Sequence, residues 1–284
     1  MAIVVSQLWV YPIKSVTGIL LNSVQLEKRG FQYDRRWMLV DSNHRFISQR
    51  QYPKMTLIKV ALSEFGLALN APDMPTLIVP YPDPQIELYE ALEVICWDDQ
   101  IIAHHINSSI DNWFSDFLGI DCQLVYMPDD SLRPVDPQYA QNNDIASFSD
   151  GFPNLLISEA SLADLNQRVD IELSMSRFRP NIVVSGCAAY AEDTFGHFMV
   201  GDMNFFAVKP CSRCVVTTIN PQTGKKESAE PLKTLAQFRK QNNKVLFGQN
   251  VLHQLSATNN NQLSIGDKVK IIRLEKQLEF DSSQ

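Results

Sequence analysis

Proline and glycine cut this chain into short pieces, and that limits its fold more than any other feature. The apolar segments Met55 to Asn70 and Thr76 to Leu88 are interrupted by Gly66 and by two proline clusters, Pro72 to Pro75 and Pro80 to Pro84. Proline has a fixed φ and no N–H, so it ends strands or sits at their edges. Several short strands with Pro-rich turns predict a barrel or a sandwich. Other segments fit the same picture. Ile3 to Tyr11 reads as a strand stopped by Pro12, and Gly30 to Val40 as a turn entering a strand. Asp41 to His44 reads as a hairpin turn with Arg45 to Gln51 returning from it. LSIGDKVKIIR supplies a last strand after Gly266-Asp267.

Helices are few. Ile110, Trp113, Phe114 and Phe117 recur at helical spacing, and Gly119 is a natural stop. Ser158 is placed to cap a helix over 159–168, and Pro231 to Lys240 reads as a short helix with Leu232, Leu235 and Phe238 inward. The expected class is therefore α+β, mostly β.

At 284 residues the chain exceeds one typical domain. The clearest boundary is residues 127–153, which hold four prolines and many Asp, Asn and Ser residues. A loop of that length is a linker or a lid. The expected division is a β-rich domain over 1–126, a second domain over 127–275 and a frayed tail over 276–284.

Composition removes several function classes. A net charge of -7 argues against binding nucleic acid as a polymer. No apolar run approaches the ~18 residues of a membrane span, and MAIVVSQLWVYPIKS lacks the basic start and cleavage site of a signal peptide. No membrane partner is expected. Five cysteines without framework spacing read as reduced thiols in a reducing compartment, the cytoplasm.

The chemistry concentrates in Pro210 to Gly224, PCSRCVVTTINPQTG. Cys211 and Cys214 flank Ser212 and Arg213. Val215 to Thr218 is a β-branched run that reads as a strand, with a turn over Asn220 to Gly224 behind it. A thiolate beside Arg213 would be favoured by the adjacent cation. Four readings compete on spacing alone: a buried structural pair, a structural zinc site, a redox pair, and one thiolate holding a catalytic metal. Zinc lacks two further ligands, because Cys96, Cys122 and Cys187 are isolated and the five His residues show no HxxxH spacing. The redox pair lacks the βαβ setting it needs.

KPCSRCVVTTINPQTGKK resembles the cofactor loop of the MOSC superfamily, in the branch of the mitochondrial amidoxime-reducing components and their bacterial relatives. LWVYPIKSVTG, DRRWMLVD, LLISEASLADLNQR, FRPNIVVSG, YAEDTF and VLFGQN resemble the same branch in the same order, from about residue 5 to about residue 273. The resemblance implies an N-terminal β-rich domain followed by a MOSC β-barrel domain, with the molybdenum cofactor (Mo-molybdopterin) in the cleft between them. It implies that Cys214 is the metal ligand and the catalytic residue, since it holds the family's position in the SRC triplet. It implies cofactor contacts from Lys14, Ser15 and Arg35 at the phosphate, from Asp150, Gly151 and Phe152 in the long loop, and from Arg179, Asn181, Ser212 and Arg213. Gln49 and Arg50 fall beside the same pocket. Arg36, adjacent to Arg35, is expected on the opposite face, exposed.

The implied activity is reduction of small N-hydroxylated compounds to amines or amidines. The alternatives are a persulfide carrier on Cys214 and a cofactor-maturation or storage domain. Neither the C-x₄-C-x₂-C iron–sulfur pattern nor a Gly-rich dinucleotide motif is present. Electrons are therefore expected from a separate reductase, a flavin or iron–sulfur protein.

Overall fold

A computed structural model describes residues 2–82, 90–257 and 260–280. The fold is mostly β, as expected, with three α-helices among the described residues. Its largest sheet has nine strands. The path runs Val269–Leu274, Phe195–Val200, Met203–Ser212, Lys244–Gln254, Asn154–Ser158, Ile182–Ser185, Val4–Val10 and Ile19–Leu21. Lys240–Gln241 pairs off this path with Lys244–Gln254. Val4 bridges to Lys268, and Val5 N–H donates to the Asp267 carbonyl at 2.9 Å. The first strand thus meets the start of the last, and the sheet closes on itself as a barrel. Leu8, Phe31, Phe198, Phe205 and Val251 fill its interior. Each fully buried side chain of this size contributes about 1.5–3 kcal/mol.

The first strand is encoded far from one of its neighbours: Val4–Val10 pairs antiparallel with Ile182–Ser185. Ser23–Glu27 likewise pairs with Gln262–Ser264. Strand pairing therefore crosses the expected division at residue 126.

A four-stranded sheet, Trp37–Val40, Gln123–Tyr126, Asp99–His105 and Ala91–Cys96, lies beside a three-stranded sheet, Lys59–Ser63, Gly66–Asn70 and Leu77–Pro80. The helix Ser108–Leu118 covers them. Asn107 caps it by accepting from Ile110 N–H, and Gly119 ends it with a left-handed φ of 74°. Trp113 and Phe114 face inward with Ile13, Trp37 and Leu69. Cys96 is fully buried, as expected of a core residue. The second helix, Glu159–Asn166, is capped by Ser158, and the third spans Leu232–Phe238 with Leu235 buried.

Four local readings change. Val215–Thr218 is a 3-10 helix, not a strand. Thr217 and Thr218 hydroxyls donate back to the carbonyls of Cys214 and Val215 at 3.0 and 2.7 Å, which satisfies a tight turn and overrides β propensity. Arg36 is not exposed: it is 5% accessible, donating to the Met127 carbonyl, the Tyr126 hydroxyl and Asp129. Arg45 to Gln51 is no regular strand; it makes bridges at Arg45 and Phe46 and then turns. The strand expected over 76–88 is observed as Leu77–Pro80, and its part over 83–88 lies outside the described residues. In the tail, Gln241 donates to the Glu279 carbonyl and Phe280 stacks on Arg239, so residues through Phe280 lie against the body.

Candidate functional site

The Met203–Ser212 strand carries Cys211 to the edge of a cleft, and Cys214 follows as the cap of the short 3-10 helix. The register of this strand against Lys244–Gln254 shifts twice, between Ala207 and Lys209 and between Pro210 and Ser212. Such irregularities re-aim side chains, and Pro210 fits one because it has no N–H to pair. The cleft has a volume of about 320 Å³. Lys14, Ser15, Arg35, Asp150, Gly151, Phe152, Arg179, Asn181, Ser212, Arg213 and Cys214 all line it, although they come from five separate parts of the chain. Gln49 and Arg50 line it too.

One end is a braced cluster of cations. Tyr11 is fully buried, and the guanidinium carbons of Arg35 and Arg179 each lie 4.3 Å from its ring centroid. Arg35 Nη1 donates to Asp34 at 2.5 Å and to Asn181 Oδ1 at 3.0 Å, and Nη2 donates to the Arg179 carbonyl at 3.1 Å. Arg179 Nη1 donates to the Val16 carbonyl at 2.6 Å, and Gln49 Nε2 to the Ser15 carbonyl at 2.7 Å. The turn carrying Lys14 and Ser15 is thus tied to both halves of the fold. Asn181 is 1% exposed, and its amide also donates to the Trp9 carbonyl and accepts from Leu155 N–H, so it braces Arg35. Ser15, Arg35 and Arg179 all have left-handed φ values, 67°, 48° and 55°. Such backbone costs about 1–2 kcal/mol per residue, and it clusters where surrounding structure holds a functional geometry.

Lys14 is 5% exposed and donates to the Phe148 carbonyl and to Asp150, both at 2.7 Å. The Asp150 carboxylate is 73% exposed. Enclosure by the cleft opposes its charge, but Lys14, with smaller help from Arg35 and Arg50, holds it well below the usual carboxylate range. Burial and then the neighbouring Arg35 pull the Arg179 guanidinium down to about 10. Asp34 is pushed up by burial, against Arg35. Gly151 has a φ of 141°, and Phe152 packs edge-on to Tyr139.

At the other end, the cation beside the thiol is not the sequence neighbour. Arg50 Nη2 lies 3.6 Å from Cys214 Sγ, and its guanidinium stacks on Trp97 at 4.4 Å. Arg213 turns away, donating from Nε to the Phe247 carbonyl and from Nη1 to the Phe178 carbonyl. Gly248 packs beneath it with a left-handed φ of 79°: a Cβ there would lie 2.7 Å from both Ile157 Cγ1 and the Leu156 carbonyl oxygen. Burial raises the pKa of the Cys211 thiol, with Arg213 opposing.

Buried groups in this lining lack protein partners, among them Arg213 Nη2 and Arg177 Nε as unmet donors and Asn154 Oδ1 as an unmet acceptor. His253 Nε2 donates to the Glu27 carbonyl, which leaves Nδ1 to accept from the Asn154 amide and fixes Oδ1 free to accept. Among the described residues, no cluster of three or more His, Cys, Asp or Glu side chains could hold a metal. A metal here would need most of its ligands from a cofactor, with the cysteine adding one.

The profile of the MOSC N-terminal beta barrel domain matches residues 2–121, and that of the MOSC domain matches residues 143–270. Mitochondrial amidoxime-reducing component 1 of Mus musculus is 33% identical, over 83% of this chain and 71% of its own. The chain belongs to the MOSC family. Mitochondrial amidoxime reducing component 2 of Rattus norvegicus is 34% identical over 83% of this chain and 72% of its own. Component 1 of Homo sapiens is 30% identical over 94% of this chain and 82% of its own. In this MOSC chain three site features escape sequence reading: Tyr11, Asp34 and the Arg50–Cys214 contact. Asp34 directly precedes Arg35, so an acid–base neighbour pair was the available signal for it. Nothing local marks Tyr11 or pairs Arg50 with a residue 164 positions away.

Proposed function

We propose that this chain is a molybdenum-cofactor-dependent reductase of small N-hydroxylated compounds. The observation that carries the reading is the joining, in one cleft, of a cysteine thiol with a cation cluster braced around Tyr11. The residues fit the cofactor. A phosphate suits Lys14, Arg35 and Arg179, and the unmet Arg213 Nη2 and Asn154 Oδ1 suit a heterocycle bearing both acceptors and donors. Cys214 would add a third soft sulfur ligand to the two of a pterin dithiolene. When bound, the cofactor supplies a two-electron metal centre.

The chain itself positions and screens. Lys14, Ser15, Arg35 and Arg179 hold the phosphate end, Asn181 braces them, and Asp150 to Phe152 form the facing wall. Arg50 places a positive charge beside the sulfur. The net reaction consumes two electrons and two protons, breaks the N–O bond, and releases water and the amine or amidine. Electrons come from a separate flavin or iron–sulfur reductase. The five free cysteines suit a reducing compartment, and the cytoplasm is the location we propose. Among the described residues, no helix is long and apolar enough to cross a membrane.

The test is protein made in a host that synthesises the cofactor. Molybdenum and pterin should co-purify in equal amounts, and benzamidoxime should be reduced with dithionite and a viologen dye. NADH alone should give no turnover until a reductase is added. Protein that loads no molybdenum, or loads it and reduces no N-hydroxylated compound, overturns the reading.

A further inference from the structure

The tail runs back over the body between two anchors. Glu275 N–H donates to the Thr194 carbonyl at 2.8 Å, and Gln241 Nε2 donates to the Glu279 carbonyl at 2.7 Å. Leu278 and Phe280 are half-buried, while Lys276, Gln277 and Glu279 are exposed. Side chains two apart on an extended segment share a face, so Leu278 and Phe280 turn inward together. Phe280 lands on Arg239. Its ring centroid lies 4.4 Å from the guanidinium carbon, and the Tyr190 centroid lies 4.5 Å from it. Arg239 is left 3% exposed.

That guanidinium is bonded to the strand behind the cysteine loop. Arg239 Nη1 pairs with Asp193 at 2.6 Å, and Asp193 Oδ1 accepts from Gln249 Nε2 at 2.9 Å. Arg239 Nε donates to the Leu246 carbonyl at 3.2 Å, and Leu246 N–H donates to the Arg239 carbonyl at 2.9 Å. Leu246 and Gln249 both lie on Lys244–Gln254. The same stretch holds the cysteine loop. Gln249 pairs with Pro210 and Leu246 with Ser212. The Val245 carbonyl accepts from Arg213 N–H and the Phe247 carbonyl from Arg213 Nε, both at 2.8 Å. One buried side chain thus fixes the strand at two points, and the strand fixes the three residues that end in Cys214.

We propose that Arg239 is a positioning residue for Cys214, acting through the Leu246–Gln249 stretch, and that Phe280 of the tail is the cover that keeps its bonds dry. The role of Cys214 itself rests on the reductase reading. Charged hydrogen bonds and cation–π contacts strengthen where water is excluded. Losing the Phe280 ring admits water to the Arg239–Asp193 pair. The strand then opens more often, and the loop bonded to it follows. The helix Ser108–Leu118, which packs in a different core cluster, should not respond.

The test is residue-resolved hydrogen exchange on the full chain, which reads local opening directly. In Phe280→Ala the Arg213 and Leu246 amides should exchange about tenfold faster than in wild type. Phe280→Tyr keeps a ring on Arg239 and should restore the wild-type rate. Gln241→Ala removes one anchor and should give a smaller rise at the same amides. Wild type in urea, matched to the stability of Phe280→Ala, should not reproduce this pattern. An unchanged Arg213 rate in Phe280→Ala, or a rise shared equally by Ser108–Leu118, overturns the proposal. The holoprotein gives a second readout. In Phe280→Ala the Mo(V) paramagnetic resonance signal should broaden, and kcat for benzamidoxime should fall with KM unchanged. Faster exchange with an unaltered signal and kcat overturns the positioning role. If the wild type carries no molybdenum, the reductase reading falls, and the exchange arm still decides whether Arg239 and the tail hold the cysteine loop.

Discussion

The two ends of the cysteine cleft differ in how firmly they are set. At the Lys14 end the side chains are buried and already bonded: Arg35 to Asp34 and Asn181, Arg179 to the Val16 carbonyl, Lys14 to Phe148 and Asp150. At the Cys214 end the sulfur lies on a short 3-10 turn, with an exposed Val215 after it and Arg50 at 3.6 Å. A rigid cation cluster binds an anion without reorganising, and that lowers the cost of binding. A thiol that must meet a metal needs approach and some freedom. Affinity should therefore reside at the first end and reactivity at the second.

The largest expected effect comes from Cys214→Ala. Turnover of an amidoxime should vanish while most pterin stays bound, because in the proposed function the opposite end holds the phosphate. Activity and pterin content measured on one preparation check this; normal turnover by the variant would sink the metal-ligand assignment. Cys211→Ala should be much milder, and equal loss from both would favour a redox pair.

Arg35 and Arg36 sharpen the comparison next. Removing Arg35 strands the buried Asp34 carboxylate, and breaking such a pair costs about 3–5 kcal/mol. Arg35→Ala should lower both urea stability and cofactor content. Arg36 is equally buried but points to Met127 and Asp129, so Arg36→Ala should lower stability while the protein that folds keeps its cofactor. Cofactor lost equally from both would show that the cluster acts only through the fold.

On the proposed function, Lys14→Ala removes a charge-assisted contact to the cofactor's phosphate. The expected loss is about 1.5–3 kcal/mol, or roughly tenfold to over a hundredfold in affinity. Unchanged cofactor content in the Lys14→Ala, Arg35→Ala double variant would place the phosphate elsewhere.

The smallest effect is an acid limb in the cofactor-free protein. The folded pKa of Asp150 is depressed below its ordinary 3.8. Its pairing with Lys14 therefore stabilises the fold above that pH, and the contribution is lost as pH falls through the folded value. The carboxylate is exposed, so the contribution is about 0–1 kcal/mol. Asp150→Asn should unfold at slightly lower urea at pH 7 and match the wild type in strong acid. A gap that persists at pH 1 would assign the effect to packing.

The sequence by itself determined the mostly β class, because short β-rich segments and proline breaks are local properties. It also marked the helix ending at Gly119 and the cap at Ser158, whose hydrogen bonds span three residues. Part of the cleft lining was legible too, through the resemblance of its motifs. Tertiary structure decided the rest. The first strand closes a barrel through a bridge to Lys268, a contact no local pattern specifies. Val215–Thr218 carries a strand-like composition, yet hydroxyl back-bonds and the tight turn after Cys214 make it helical. Arg213 and Arg50 exchange the roles suggested by adjacency, because the Phe247 and Phe178 carbonyls hold Arg213 away while Trp97 supports Arg50 beside the sulfur. Which cation faces the thiol is set by packing between segments more than a hundred residues apart, and such distances lie beyond any motif.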